Sequence, residues 1–95
     1  MKEPVELTDL SEAQLREIKA GIASVALAGD TWYDDHILCC SARIITKAGT
    51  TYVVALWWVG WQGVAAIKYA NACRDAMNEA EAAIGEAARA ALDGP

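Results

Sequence analysis

Twenty consecutive residues, 48–67, carry no charge, and this stretch constrains the fold more than any other part of the chain. Its length matches a membrane-spanning helix. However, residues 48–51 are typical of a turn, and Gly60 and Gly63 interrupt the stretch near its end. The apolar run that remains, 52–59, has the length and the β-branched and aromatic content of a buried strand. We therefore expect a strand here, and a membrane-associated protein is the less favoured alternative.

A second strand is predicted just before this one, and the two form a β-hairpin. The strands cover residues 37–47 and 50–59, and Ala48-Gly49 supplies the turn. The simplest register, with a two-residue loop, places Ile44 opposite Val53. A loop one residue longer would exchange the two faces of the second strand, so both registers stay open.

Helices are predicted on both sides of the hairpin. The first covers residues 12–28, because Ser11 and Gln14 form a capping box and apolar residues recur at helical spacing after it. The residues of this apolar stripe are Leu15, Ile18, Ile22 and Val25. The second helix covers residues 64–92. The sequence thus predicts a single α+β domain, residues 1–95, with a helix–β-hairpin–helix order (αββα).

The second strand carries large side chains on both faces, and a two-stranded sheet is marginally stable alone. One face meets the helices, and the other needs a cover. That cover is the second helix wrapping around, a second copy of the chain, or a foreign partner. For a homodimer built through the hairpin, the residues expected at the seam are Arg43, Tyr52 and Trp58.

No arrangement of residues in the sequence indicates catalysis, so we expect no enzyme, no cofactor and no metal. On an extended strand the Cα atoms of His36 and Cys40 lie roughly 13 Å apart, too far for a nucleophile and its base. The Cys and His spacings also do not suit zinc. Three cysteines make no disulfide framework, and the N-terminal residues have no apolar core typical of a signal peptide. We expect reduced thiols and a cytoplasmic protein.

The formal net charge is −5, which disfavours direct nucleic-acid binding and suits a basic partner. Acidic residues lie on both sides of two aromatic residues in the segment that precedes the hairpin. We predict that this segment binds a basic protein surface through Asp30, Trp32, Tyr33, Asp34 and Asp35. The alternative is that these carboxylates are ordinary solvated charges.

Small size, acidity, an alanine-rich composition and the lack of catalytic motifs give the chain a resemblance at the level of class. It resembles the small acidic proteins of phages and mobile elements, and among these the anti-CRISPR proteins. The resemblance implies a stoichiometric inhibitor in the host cytoplasm. Such an inhibitor occupies a basic nucleic-acid-binding surface of a CRISPR effector subunit, where its carboxylates stand in for phosphates. The alternative function is a small structural homodimer.

Overall fold

The computed structural model describes residues 5–29, 31–56 and 60–93. In chain order the strands and helices are β1 (Val5–Glu6), α1 (Glu12–Ala20), β2 (Ile22–Leu27), β3 (Trp32–Asp34), β4 (Ile37–Thr46), β5 (Thr51–Leu56), α2 (Gly60–Tyr69) and α3 (Arg74–Asp93), with a 3-10 helix (Leu7–Asp9) after β1. This is a small α+β fold, as the sequence predicts. The predicted helix–hairpin–helix order is too simple, because further strands lie before the hairpin and two helices follow it.

The sheet has the strand order β1–β5–β4–β2, and β3 also pairs with β4. β4 is antiparallel to β2, β3 and β5, whereas β1 is parallel to β5. β2 pairs with residues 42–46 of β4, and β3 pairs with residues 37–39. β4 is therefore the central strand, and the predicted hairpin of β4 and β5 is one part of a wider sheet.

Helix α1 begins where the sequence predicts. The Gln14 backbone N–H donates to the Ser11 Oγ at 3.2 Å, and the Ser11 backbone N–H donates to the Gln14 Oε1 at 2.8 Å. These two bonds form the predicted capping box. Because they involve only residues three apart, they are visible in the sequence before any tertiary contact is known.

The prediction that this helix continues to residue 28 is wrong. α1 ends at Ala20, and Gly21 follows with a φ of 153°. A Cβ at Gly21 would lie 2.6 Å from the Lys47 Cδ, so glycine suits this crossing. Residues 22–27 form β2 instead, and Ile22 is buried there. Apolar spacing alone fits either structure over so few residues, and pairing with β4 decides between them.

The predicted single helix over residues 64–92 is also wrong. The chain forms two helices, α2 and α3, separated by a turn at residues 70–73. Within this turn the Asn71 Oδ1 accepts the Val25 backbone N–H at 3.4 Å and the Ser24 hydroxyl at 3.3 Å. The turn is thus anchored to β2, and the break lets both helices pack against the sheet.

The register of the hairpin differs by one residue from the simplest expectation. Ile44 lies opposite Tyr52, not Val53, because the loop has three residues, 47–49. Its last residue, Gly49, has a φ of 95°, which suits the left-handed position of a three-residue hairpin loop. The longer loop exchanges the faces of β5, as the alternative register requires. The predicted strand over 50–59 is described only as far as Leu56, because residues 57–59 lie outside the described part.

The helices cover one face of the sheet and form the core with it. Even-numbered residues of β4 and β5 point into this core, and α1, α2 and α3 supply its other side. The buried members that define it include Leu15, Ile18, Val25, Leu38, Cys40, Ala42, Ile44, Val54, Leu56, Val64, Ile67, Ala80 and Ile84. On the opposite face Cys39 and Ser41 are buried, whereas Arg43 is exposed and Ile45, Val53 and Ala55 are half-buried. No described helix covers this region of the face, which we call the open face.

Candidate functional site

The predicted partner-binding segment lies in β3 and in the tight turn to β4. Asp34 pairs with Ile37, so Asp35 and His36 are the only residues in the loop. Their φ angles are 49° and 70°, which is the pattern of a type I′ turn. This turn fits the twist of two antiparallel strands, and Asp and His tolerate positive φ better than most residues. The geometry places the side chains of Asp34, Asp35 and His36 in solvent.

An exposed aromatic pair lies beside this turn. The rings of Tyr33 in β3 and Trp61 in α2 meet edge to face, with their centroids 6.4 Å apart and an interplanar angle of 63°. Tyr33 is 61% exposed and Trp61 is 72% exposed. The pair therefore contributes a rigid apolar surface to solvent. We call Tyr33, Trp61, Asp34 and Asp35 together the tip surface.

Trp61 is a member of the tip surface that was not predicted from the sequence. It lies 28 positions after Tyr33, so only the tertiary structure brings the two rings together. One signal was present in the sequence. Lys68 follows Trp61 by seven residues, which places both on the same face of a helix, and a charged residue indicates that this face is solvated.

Among the described residues, no ion pair includes the carboxylates of the tip surface. The ion pairs among the described residues are Arg16 with Glu12 and Arg89 with Glu86, both within helices. Asp34 and Asp35 take part in neither. Two exposed carboxylates at the end of the strand that carries Tyr33 favour the approach of a guanidinium group.

The remaining predicted residues of this segment lie apart from the tip surface. Trp32 is half-buried and lies opposite Cys39, on the face away from Tyr33. Asp30 lies outside the described residues. Its part in binding stays a prediction.

The residues predicted at a homodimer seam do not share one face. Arg43 is exposed on the open face, whereas Tyr52 points to the helices and packs against the core. Burial, the Glu17 carboxylate and a hydrogen bond to that carboxylate raise the pKa of Tyr52. Glu17 also accepts the Thr46 hydroxyl at 2.8 Å. Tyr52 thus belongs to a cluster that joins α1 to the hairpin, and Trp58 lies outside the described residues.

The two adjacent cysteines of β4 are both buried. Burial raises the pKa of the Cys39 thiol, and the Asp34 carboxylate raises it further. Burial, and secondarily Cys39, raises the pKa of Cys40 to about 11. Both sulfurs therefore stay protonated at neutral pH, in the form that is a poor nucleophile and a poor metal ligand.

Among the described residues, no group of three or more His, Cys, Asp or Glu side chains is placed to hold a metal ion. None of the helices in residues 5–29, 31–56 and 60–93 combines the length and the hydropathy needed to cross a membrane. The tip surface is thus the strongest candidate site that the described residues offer.

No protein-family model, no curated protein and no solved structure matches the chain.

Proposed function

We propose that the protein is a non-enzymatic inhibitor that binds a basic protein surface through the tip surface. The observation that carries this proposal is the exposed Tyr33–Trp61 pair next to the unpaired carboxylates of Asp34 and Asp35. Aromatic residues dominate the energetics of protein interfaces, and charges at the rim speed encounter with an oppositely charged partner.

The exposed area of the two aromatic side chains is large enough to contribute substantially to binding a partner protein. Tyr and Trp side chains each bury about 150–250 Å² when fully covered. Well over half of each of the two residues is exposed. Covering both side chains in an interface therefore contributes on the order of 5 kcal/mol of binding free energy, at about 25 cal/mol per Å² of buried area. Part of this gain offsets the loss of translational and rotational freedom on binding. The aromatic pair supplies affinity, and the carboxylates supply selectivity for a basic surface.

The target that fits best is a nucleic-acid-binding surface on a CRISPR effector subunit. Such a surface carries the lysine and arginine residues that a carboxylate pair engages. The net charge of −5 and the class-level resemblance to anti-CRISPR proteins support this choice. The inhibitor would act stoichiometrically, by excluding nucleic acid from the surface that it covers.

The direct test measures target-DNA binding by purified CRISPR effector–guide complexes of several types, with increasing amounts of the protein. We expect the wild-type protein to abolish DNA binding by one of them near a 1:1 ratio. The Trp61→Ala variant and the Asp34→Lys/Asp35→Lys variant should each need at least about tenfold more protein for the same effect, a loss of about 1.4 kcal/mol or more.

Two matched controls separate the tip surface from general effects. Tyr69→Ala removes another exposed aromatic residue of α2, and Glu79→Lys reverses an exposed charge of α3. Both should inhibit as the wild type does. No inhibition of any effector would reject the CRISPR target, and equal inhibition by the tip-surface variants would reject this surface.

The open face of the sheet favours a second candidate, a structural homodimer. Ile45, Val53 and Ala55 are half-buried there, and among the described residues no helix packs over them. Light scattering at micromolar concentration tests it, with Val53→Lys as the variant that should dissociate a dimer. A monomer at every concentration would eliminate this candidate.

A further inference from the structure

The backbone N–H and C=O groups of Tyr33 point away from β4. Asp34 and Ile37 flank a two-residue turn and form a hydrogen-bonded pair, so the next bonded pair is Trp32 with Cys39. Tyr33 lies between these pairs, opposite Leu38. Its N–H and C=O groups are therefore directed to the edge of β3 that faces away from β4.

No strand among the described residues pairs with that edge. β3 lies along the same side of β4 as β2, because odd-numbered residues of β4 bond to both. Ser41 accepts the Ala28 N–H at 2.9 Å at the end of β2, and Ile37 and Cys39 bond to β3. β4 therefore occupies one side of β3, and no described strand pairs with the other side.

Two other stretches of edge in the same sheet have partners. On β2 the Ile22 N–H donates to the Glu81 Oε2 at 3.1 Å, and the Val25 N–H donates to the Asn71 Oδ1. On β5 the strand β1 pairs with residues 54–55. Natural sheets cover or cap their edges because unpaired edges recruit other strands. The open edge at Tyr33 departs from this pattern, and it lies within the tip surface.

The charges around the edge decide what can pair with it. A second copy paired in parallel would place its own Asp34 and Asp35 directly opposite these, where like charges are destabilising. An antiparallel copy centred on Tyr33 would place Asp34 opposite Trp32, but it would still bring a second pair of carboxylates to the same short edge and no cation to pair with them. An extended segment that carries arginine would instead be attracted, because its guanidinium groups pair with the Asp34 and Asp35 carboxylates. Alternate side chains of an added strand would lie beside the Tyr33–Trp61 pair on one face and beside Asp34 on the other.

We propose that β3 accepts an extended, arginine-bearing segment of the partner protein as an added strand, paired through the N–H and C=O of Tyr33. This inference rests on the proposed function, because it names how the tip surface engages its basic partner. Main-chain bonds provide part of the affinity in this mode, and the alternate side chains provide the selectivity.

The test uses a defined probe, the peptide acetyl-Arg-Val-Arg-Val-Arg-Val-amide, with a glutamate-for-arginine peptide as its control. Titration into the isotope-labelled protein gives the affinity, and amide hydrogen exchange reports on each N–H. We expect only the arginine peptide to bind, and the Tyr33 amide to exchange at least about tenfold more slowly when it does. Binding with unchanged exchange at Tyr33 would overturn strand addition. Slow exchange of the Tyr33 amide in a dimer of the peptide-free protein would also overturn it, because a second copy would then already occupy the edge.

A pair of substitutions at one position isolates the backbone contribution. Tyr33→Ala and Tyr33→Pro both remove the ring, but only proline removes the N–H. Proline is tolerated on a strand edge where the N–H faces solvent. The amide signals of Ile37 and Cys39, which bond to β3, report whether the hairpin persists. We expect the proline variant to bind the peptide about five- to tenfold more weakly than the alanine variant. Equal affinities of two folded variants would overturn the proposal.

Failure of this inference differs from failure of the proposed function. If Asp34→Lys and Trp61→Ala bind the arginine peptide as well as the wild type, the tip surface itself is wrong. If both variants bind more weakly while the Tyr33 amide stays unprotected, the tip surface holds and strand addition fails.

Discussion

His36 occupies a backbone conformation that glycine would adopt more easily, and this gives a direct test of the hairpin that carries the tip surface. Its φ is 70°, in the left-handed region, and its side chain is exposed. For most L-residues this region costs roughly 1–2 kcal/mol. Glycine has no such cost, but it adds unfolded-chain entropy worth about 0.5–1 kcal/mol. The balance predicts that His36→Gly raises the free energy of unfolding by about 0.5–1 kcal/mol.

Urea denaturation and thermal unfolding measure this change. For a chain of 95 residues the predicted gain corresponds to a rise in Tm of about 2–8 °C. Ala48→Gly is the matched control, because Ala48 is exposed in the other hairpin loop and has no positive φ. The control bears only the entropic cost, so its free energy of unfolding should fall by about 0.5–1 kcal/mol. If the two variants lose stability alike, the turn at Asp35 and His36 is not the left-handed turn described above.

Two further predictions concern the core and the protected edge. The pKa of Cys40 rises from 9.0 to about 11 on folding, so full stability holds below pH 9. It falls between pH 9 and 11, by at most about 3 kcal/mol, because only the unfolded thiol ionises there. Denaturation across this range should show a shallower slope for Cys40→Ala, and an unchanged slope would contradict the assignment. Asn71→Ala removes the acceptor of the Val25 N–H and should lower the free energy of unfolding by about 1 kcal/mol. The Val25 amide should also exchange faster, and unchanged exchange would show that this bond does not protect the β2 edge.

Features that depend only on neighbouring residues could be predicted before the fold was known. The capping box of Ser11 and Gln14 marks the start of α1, because its two hydrogen bonds span three residues. The uncharged run around β5 and the glycine at 49 predict a hairpin with β4, which is present. The exposed acidic turn at Asp34 and Asp35 also follows from local composition, because consecutive charges seldom lie in a core.

Where local patterns allowed several structures, contacts between distant parts of the chain selected one of them. Residues 22–27 satisfy a helical spacing and a strand equally well, and pairing with β4 selects the strand. One extra loop residue exchanged the faces of β5 and directed Tyr52 to Glu17 instead of to the open face. The energies that separate such alternatives come from contacts between residues far apart in the chain, which local patterns do not contain.

The candidate site also combines residues that are recognisable in the sequence with contacts that form only in the folded chain. Tyr33, Asp34 and Asp35 are recognisable from the sequence as an acidic and aromatic segment. The contact of Tyr33 with Trp61 and the open backbone edge of β3 are consequences of how α2 and β4 are placed around that segment. Local sequence therefore supplied the chemistry of the tip surface, and the packing of distant elements decided its shape, because a ring contact and an unpaired edge exist only once the sheet and helix have assembled.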